Sequence, residues 1–282
     1  GTLLAVSFVS NGNVQIYLRS GISFGLVRTL TDATGVAIYS VAFSKVGNFL
    51  IAGAGGSGYP LFIHMWTYAG TVFTQTMSLQ GPYNAAGNLK FSPDGNYVLA
   101  SGANSGGFQL YGRASNVIYP MTTPTVNGLE DATFTPDGAY VTVIGGNVGA
   151  KNYTFVAGVL TLTNNWGLNV TGRTIQYSKN GKWVVIEKTV YARSGVNGGT
   201  MTAFTMPNIN QYTSYFSNVA FSPDGNFVTI GARTNDTNDG SGSTTNPMVT
   251  FGPAYDISTL FVTPTVPTPS LAMGKVQTYI KT

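Results

Sequence analysis

One histidine, His64, no cysteine and ten carboxylates make up the acid–base, nucleophilic and metal-binding repertoire of this sequence. His64 sits in the alternating stretch "LFIHMWTY" (61–68), and any Ser–His nucleophile would have to be built on it. A strand histidine packed inside a sheet is the expectation. The carboxylates are Asp32, Asp94, Glu130, Asp131, Asp137, Glu187, Asp224, Asp236, Asp239 and Asp256. Glycosidic hydrolysis needs two of them about 5 to 9.5 Å apart across a sugar. Only Glu130 and Asp131 adjoin, and neighbouring strand residues point to opposite faces. Asp94, Asp137 and Asp224 recur at one position of a repeated pentapeptide, which marks them as structural. The expectation is a protein that is not an enzyme, with no catalytic residues. The loop "RTNDTNDGSGSTTNP" (233–247) carries Asp236, Asn238 and Asp239 before Gly240, hard oxygen ligands of the kind calcium takes. Its spacing misses the helix–loop–helix calcium pattern and the closing glutamate. Asp236 and Asp239 are therefore read as binding-loop residues, and neither a metal nor a cofactor is expected.

The pentapeptide identifies the elements that position these residues. "FSPDG" stands at 91–95 and 221–225, and "FTPDG" at 134–138. Proline presets φ for a tight turn, aspartate bonds forward to backbone N–H groups, and glycine supplies positive φ. Before each turn come "NLKF", "DATF" and "NVAF"; after it come "NYVLASG", "AYVTVIGG" and "NFVTIGA", so each unit reads strand, turn, strand. "VAFSKVGNFLIAGAG" (41–55) and "IQYSKNGKWVVIE" (175–187) are weaker copies. The turn glycines Gly47, Gly95, Gly138, Gly181 and Gly225 lie 48, 43, 43 and 44 residues apart. A period in the forties with several strands per unit is the mark of a β-propeller blade.

Gly1 lies 46 residues before Gly47, so the chain begins in mid-blade, short of one innermost strand. The stretch "GKVQTYIKT" (274–282) is strand-like and would end in phase with Gly1. The prediction is an all-β six-bladed propeller of four-stranded blades, closed by the C-terminal strand completing the N-terminal blade, with residues 275–281 beside residues 3–9. Residues 1–282 form a single domain, and the missing initiator Met points to a longer or processed chain. Helical periodicity is nowhere visible.

Composition narrows the environment. Hydrophobic residues make up 43% of the chain, but charged residues only 9%, against about 25% usually. Such a neutral, hydrogen-bonding surface suits a protein outside the cell or in a particle. The net charge of +4 is scattered, which excludes a nucleic-acid footprint. One concentration exists, where Arg173, Lys179, Lys182, Lys188 and Arg193 face only Glu187. It is either a solvated strand face or a patch docking an acidic neighbour. No apolar run approaches the roughly 18 residues of a membrane span, so no membrane insertion is expected.

The pattern aromatic-Ser-Pro-Asp-Gly followed by an aromatic strand resembles the WD40-like propellers of the TolB type. With phrases such as "VQIYLRSGISFGLVRTL" and "LFIHMWTYAGTVFTQTM", the chain is most similar to the WD40-like repeat domains of bacteriophage virion structural proteins. The Trp-Asp and Gly-His pairs of eukaryotic WD40 repeats and the sialidase Asp box are missing. The resemblance implies a structural or interaction module of a virion, in a fibre, spike or capsid surface. Its partners would be other virion proteins or a host-surface receptor or glycan, within an oligomeric assembly. The alternative is a secreted or periplasmic bacterial binding propeller. In such connectivity the loops opposite the "SPDG" turns differ between repeats, and they carry Tyr59, Tyr83, Trp166, Tyr212 and Tyr215. Together with Asp236 and Asp239, these aromatics are the expected binding residues.

Overall fold

Glycine at positive φ closes a tight turn in each repeat. Gly47, Gly95, Gly138, Gly181 and Gly225 take φ between 70° and 74°, as the repeated motif requires. In the computed structural model, the residues described are 2–8, 12–31, 36–56, 59–80, 88–102, 107–126, 128–146, 149–166, 168, 174–186, 189–193, 201–205, 216–222, 224–234, 248–251 and 255–256. They form antiparallel sheets of three or four strands and contain no helix.

Sheet 1 holds β1 (Leu3–Phe8), β2 (Asn13–Ser20) and β3 (Ser23–Thr31). Sheet 2 runs β4 (Ile38–Phe43), β5 (Phe49–Gly56), β6 (Tyr59–Ala69) and β7 (Val72–Gln80). Sheet 3 runs β8 (Asn88–Phe91), β9 (Tyr97–Ser101), β10 (Phe108–Ala114) and β11 (Val117–Pro120). Sheet 4 follows with β12 (Asp131–Phe134), β13 (Tyr140–Gly145), β14 (Gly149–Val156) and β15 (Val159–Asn165). Sheet 5 holds β16 (Ile175–Tyr177), β17 (Trp183–Ile186), β18 (Thr189–Arg193) and β19 (Met201–Thr205). In sheet 6, β20 (Phe216–Phe221) pairs with β21 (Phe227–Thr234), and β21 pairs in turn with β22 (Met248–Phe251) and β23 (Tyr255–Asp256). Gly231 meets Phe251 and Phe227 meets Asp256, so β22 and β23 follow one another along the same edge.

The core lies between successive sheets. Leu50 and Ala52 pack toward Val14 and Ile16 of sheet 1, while Ile51 between them packs toward Leu89 and Val98 of sheet 3. Leu99 then joins Phe134 and Val141 of sheet 4, and Ile144 joins Ile175 and Val184 of sheet 5. A strand covered on both faces needs apolar residues at every position, which is why β13 and β17 are buried throughout. The outer strands β3 and β15 have water on one side and are mostly exposed.

The first strands β4, β8, β12, β16 and β20 contact one another in succession, forming an arc of inner strands. β1 is the second strand of its unit: Arg19 N donates to Thr2 O at 2.8 Å as Arg113 N does to Asn96 O and Arg193 N to Lys182 O. That phase is the one expected from Gly1. The expected closing strand, residues 275–281, lies outside the described residues.

Candidate functional site

The motif side chains bond within their own turns. Ser92 Oγ donates to Asp94 Oδ1 at 2.5 Å and accepts from Tyr97 N at 2.9 Å, while Asn96 N donates to the same Oδ1 at 3.0 Å. Thr135 with Asp137, Ser178 with Asn180, and Ser222 with Asp224 repeat this arrangement. Desolvation opposes ionisation of Asp94, but the hydrogen bonds from Ser92 and Asn96 outweigh it and hold the carboxyl below its ordinary value. Asp224 is lowered chiefly by the Ser222 hydroxyl. Successive turns pack side by side: a Cβ on Gly95 would lie 2.8 Å from Ser44 Oγ of the preceding turn.

A second set of polar atoms ties the inner strands together. Leu89 N donates to Ser40 Oγ at 2.9 Å, from sheet 3 to sheet 2. In the same register, Ile175 N of sheet 5 donates to Asp131 Oδ2 of sheet 4 at 3.0 Å. Asp131 is 1% exposed and also receives Lys90 Nζ at 2.8 Å, Ser101 Oγ at 3.2 Å and its neighbour Ala132 N at 2.7 Å. Lys90 Nζ reaches on to Ile175 O at 3.1 Å, so one ion pair links three sheets. Sequence reasoning missed this cluster. Its signal was present in the repeat: Ser40, Asn88, Asp131, Thr174 and Asn218, all polar, stand three residues before the motif aromatic.

His64 is buried as expected, with Gln75 Nε2 3.3 Å from its Nδ1 and its ring between those of Phe62 and Trp66. Of the expected binding residues, Trp166 is described in full. It follows β15, is half-buried, donates its backbone N–H to Ala150 O at 3.0 Å, and packs against the apolar cluster of sheets 4 and 5. Tyr59 opens β6 opposite Gly56. Tyr83, Tyr212, Tyr215, Asp236 and Asp239 lie outside the described residues.

Part of the basic concentration in the fifth repeat does come together. Between the turns of sheets 4 and 5, on the face opposite Trp166, a cleft of about 560 Å³ opens to solvent. Among the described residues, Pro136 and Asp137 line one side, and Lys179, Asn180, Gly181, Lys182 and Arg193 line the other. Arg193 lies on the same lining, its guanidinium carbon 5.9 Å from the Tyr140 ring centre and 5.6 Å from that of Tyr177. Burial pushes the Tyr177 phenol up to about 12, against the opposing effects of its Thr142 hydrogen bond and the Arg193 charge. Arg173, Lys188 and Glu187 lie outside the described residues.

No protein-family model matches the chain, and no curated protein matches it. Solved structures do. A crystal structure of a functionally unknown protein from Desulfotomaculum acetoxidans is similar with a TM-score of 0.67 at 17% identity, covering 82% of this chain and 76% of that one. A protein of Bacteroides uniformis, provisionally named as a 6-phosphogluconolactonase, is similar with a TM-score of 0.63 at 15% identity, covering 81% of this chain and 74% of that one. These likenesses define the class: an all-β, propeller-like fold. They also correct the expectation of a protein that is not an enzyme. That expectation leaned on a scarcity of paired acids, and a chain of this fold carries an enzyme's name.

Proposed function

We propose that this chain is a recognition propeller, six-bladed and closed by its C-terminal strand, which holds a protein or glycan on a phage particle or, as the alternative setting, on a bacterial surface. The observation that carries the reading is the fate of the repeated polar groups. The motif hydroxyls and carboxylates bond inside their own turns, and Ser40 and Asp131 bond between sheets. The repeat therefore builds a rigid frame, and discrimination falls to residues that differ from repeat to repeat. Trp166, half-buried at a seam on the face opposite the turns, is such a residue. The low charge content and the WD40-like motif support a particle or extracellular setting.

The test replaces Trp166 and Tyr212 with alanine, singly and together, and shortens the 233–247 loop. Attachment to cells and incorporation into particles are measured for variants that keep the wild-type Tm. Loss of either activity is expected. Wild-type behaviour in all variants would remove this face from consideration. Hydrolysis of a sugar lactone is assayed on the same preparations, and turnover above the uncatalysed rate would replace the recognition reading with an enzymatic one.

A further inference from the structure

We infer that the cleft between the turns of sheets 4 and 5 is an oxyanion-binding site that takes a phosphate or sulfate group. It lies on the face opposite Trp166 and stands independently of the recognition reading.

The repeat supplies an internal control. After the motif serine or threonine, three turns read Pro-Asp-Gly: Pro93-Asp94-Gly95, Pro136-Asp137-Gly138 and Pro223-Asp224-Gly225. The fifth-repeat turn reads Lys179-Asn180-Gly181-Lys182. A lysine stands in place of proline, as Lys45 does in the copy at 41–55, an amide stands in place of the carboxylate, and, in this turn alone, a second lysine stands where Asn48, Asn96, Ala139 and Asn226 stand elsewhere. The turn itself is unaltered. Asn180 Oδ1 receives the Ser178 hydroxyl at 2.8 Å and Lys182 N at 3.0 Å, as Asp94 receives Ser92 and Asn96. The three differences thus change the charge of one spot and leave its fold as it was.

The surroundings make the charge usable. Lys179 and Lys182 are exposed at the rim of a concavity, and neither has a carboxylate within ion-pair reach among the described residues. Arg193 shares the lining with them, its Nη1 3.7 Å from where a Cβ on Gly181 would stand and its guanidinium within 6 Å of the Tyr140 and Tyr177 ring centres. Asp137 is the one acid among the described residues of the lining, and its Oδ1 is already occupied by Thr135 Oγ1 and Ala139 N. Among the described residues of the lining, the exposed Lys179 and Lys182 outnumber the single carboxylate, so the rim is net positive. A planar guanidinium and two flexible ammonium groups on one lining suit a tetrahedral oxyanion.

The experiment measures binding of inorganic phosphate and sulfate by titration calorimetry, with chloride matching the ionic strength. Glucose 1-phosphate and glucuronate separate a phosphate borne on a sugar from a simple carboxylate. The variant Lys179→Pro/Asn180→Asp/Lys182→Asn converts the turn to the sequence of its siblings and is expected to keep the wild-type Tm in chloride. The expected result is saturable binding of phosphate or sulfate that weakens at least tenfold in this variant and in Arg193→Met. Equal binding by wild type and the turn variant overturns the proposal, as does a wild-type response no greater than that to chloride. Preference for glucuronate over both tetrahedral ions overturns the assignment to phosphate or sulfate. Cell attachment is read on the same turn variant; its retention alongside lost phosphate binding keeps the two faces separate.

Discussion

Ser92 holds its turn from several directions at once. Its backbone N–H donates to Tyr97 O at 2.9 Å, its carbonyl accepts Gly95 N at 2.9 Å, and its hydroxyl links Tyr97 N to Asp94. It is 1% exposed, so removing the hydroxyl leaves Tyr97 N–H without that partner in a dry place. Ser92→Ala is expected to cost about 1–3 kcal/mol by urea unfolding. Asp94 sits at the surface end of the same network, with its pKa lowered. A lowered carboxyl stabilises the fold above its unfolded value near 4 and loses that contribution as pH falls through the folded value. Asp94→Asn should therefore keep the turn, as Asn180 does in the fifth repeat, and narrow the difference in Tm between pH 7 and pH 3. Equal acid sensitivity of variant and wild type would show that the carboxylate contributes nothing to it. The aspartate and glycine roles were legible in the sequence because turn chemistry is local. The serine role was not, because it depends on the chain folding back to meet Tyr97.

At the scale of elements, the strands were legible and their ties were not. The alternating segments fell where strands now stand, including "LFIHMWTY" within β6 and "NLKF" as β8. The looser alternation of the second strands reflects burial on both faces, since Leu50 and Ile51 serve opposite neighbours. Asp131 could not be read from its neighbours in sequence: Lys90 lies 41 residues before it and the Ile175 amide 44 after it. A nearly fully buried carboxylate with four donors is costly to delete, because the donors and the ammonium group remain. Asp131→Ala is expected to destabilise by about 3–5 kcal/mol. Ser40→Ala, which orphans one amide of the same kind, should cost about 1–2 kcal/mol. If calorimetric unfolding places both variants within error of wild type, the inner strands are held by apolar packing alone.

The repeat period made the propeller-like array legible for the whole molecule, and the interval between glycines located its turns before any contact was known. Function was less legible, because a repeated motif records what the units share, whereas recognition uses their differences. The edge of sheet 1 carries the remaining argument. In sheets 2 to 5 the strand after the motif turn pairs on both sides, but β1, in the same phase, pairs with β2 alone among the described residues. An unpaired edge exposes backbone donors and acceptors and invites pairing with another chain. The proposed closure removes that edge by laying residues 275–281 beside residues 3–9. It predicts that deleting residues 271–282 lowers Tm by several degrees and makes the protein associate through β1. It also predicts that single cysteines placed at Ala5 and Tyr279, opposite one another in that antiparallel register, cross-link within one chain. Light scattering and reducing against non-reducing electrophoresis read both outcomes. A deletion variant that stays monomeric at the wild-type Tm, with cysteines that do not bridge, would leave the first sheet open and the ring without its closing strand.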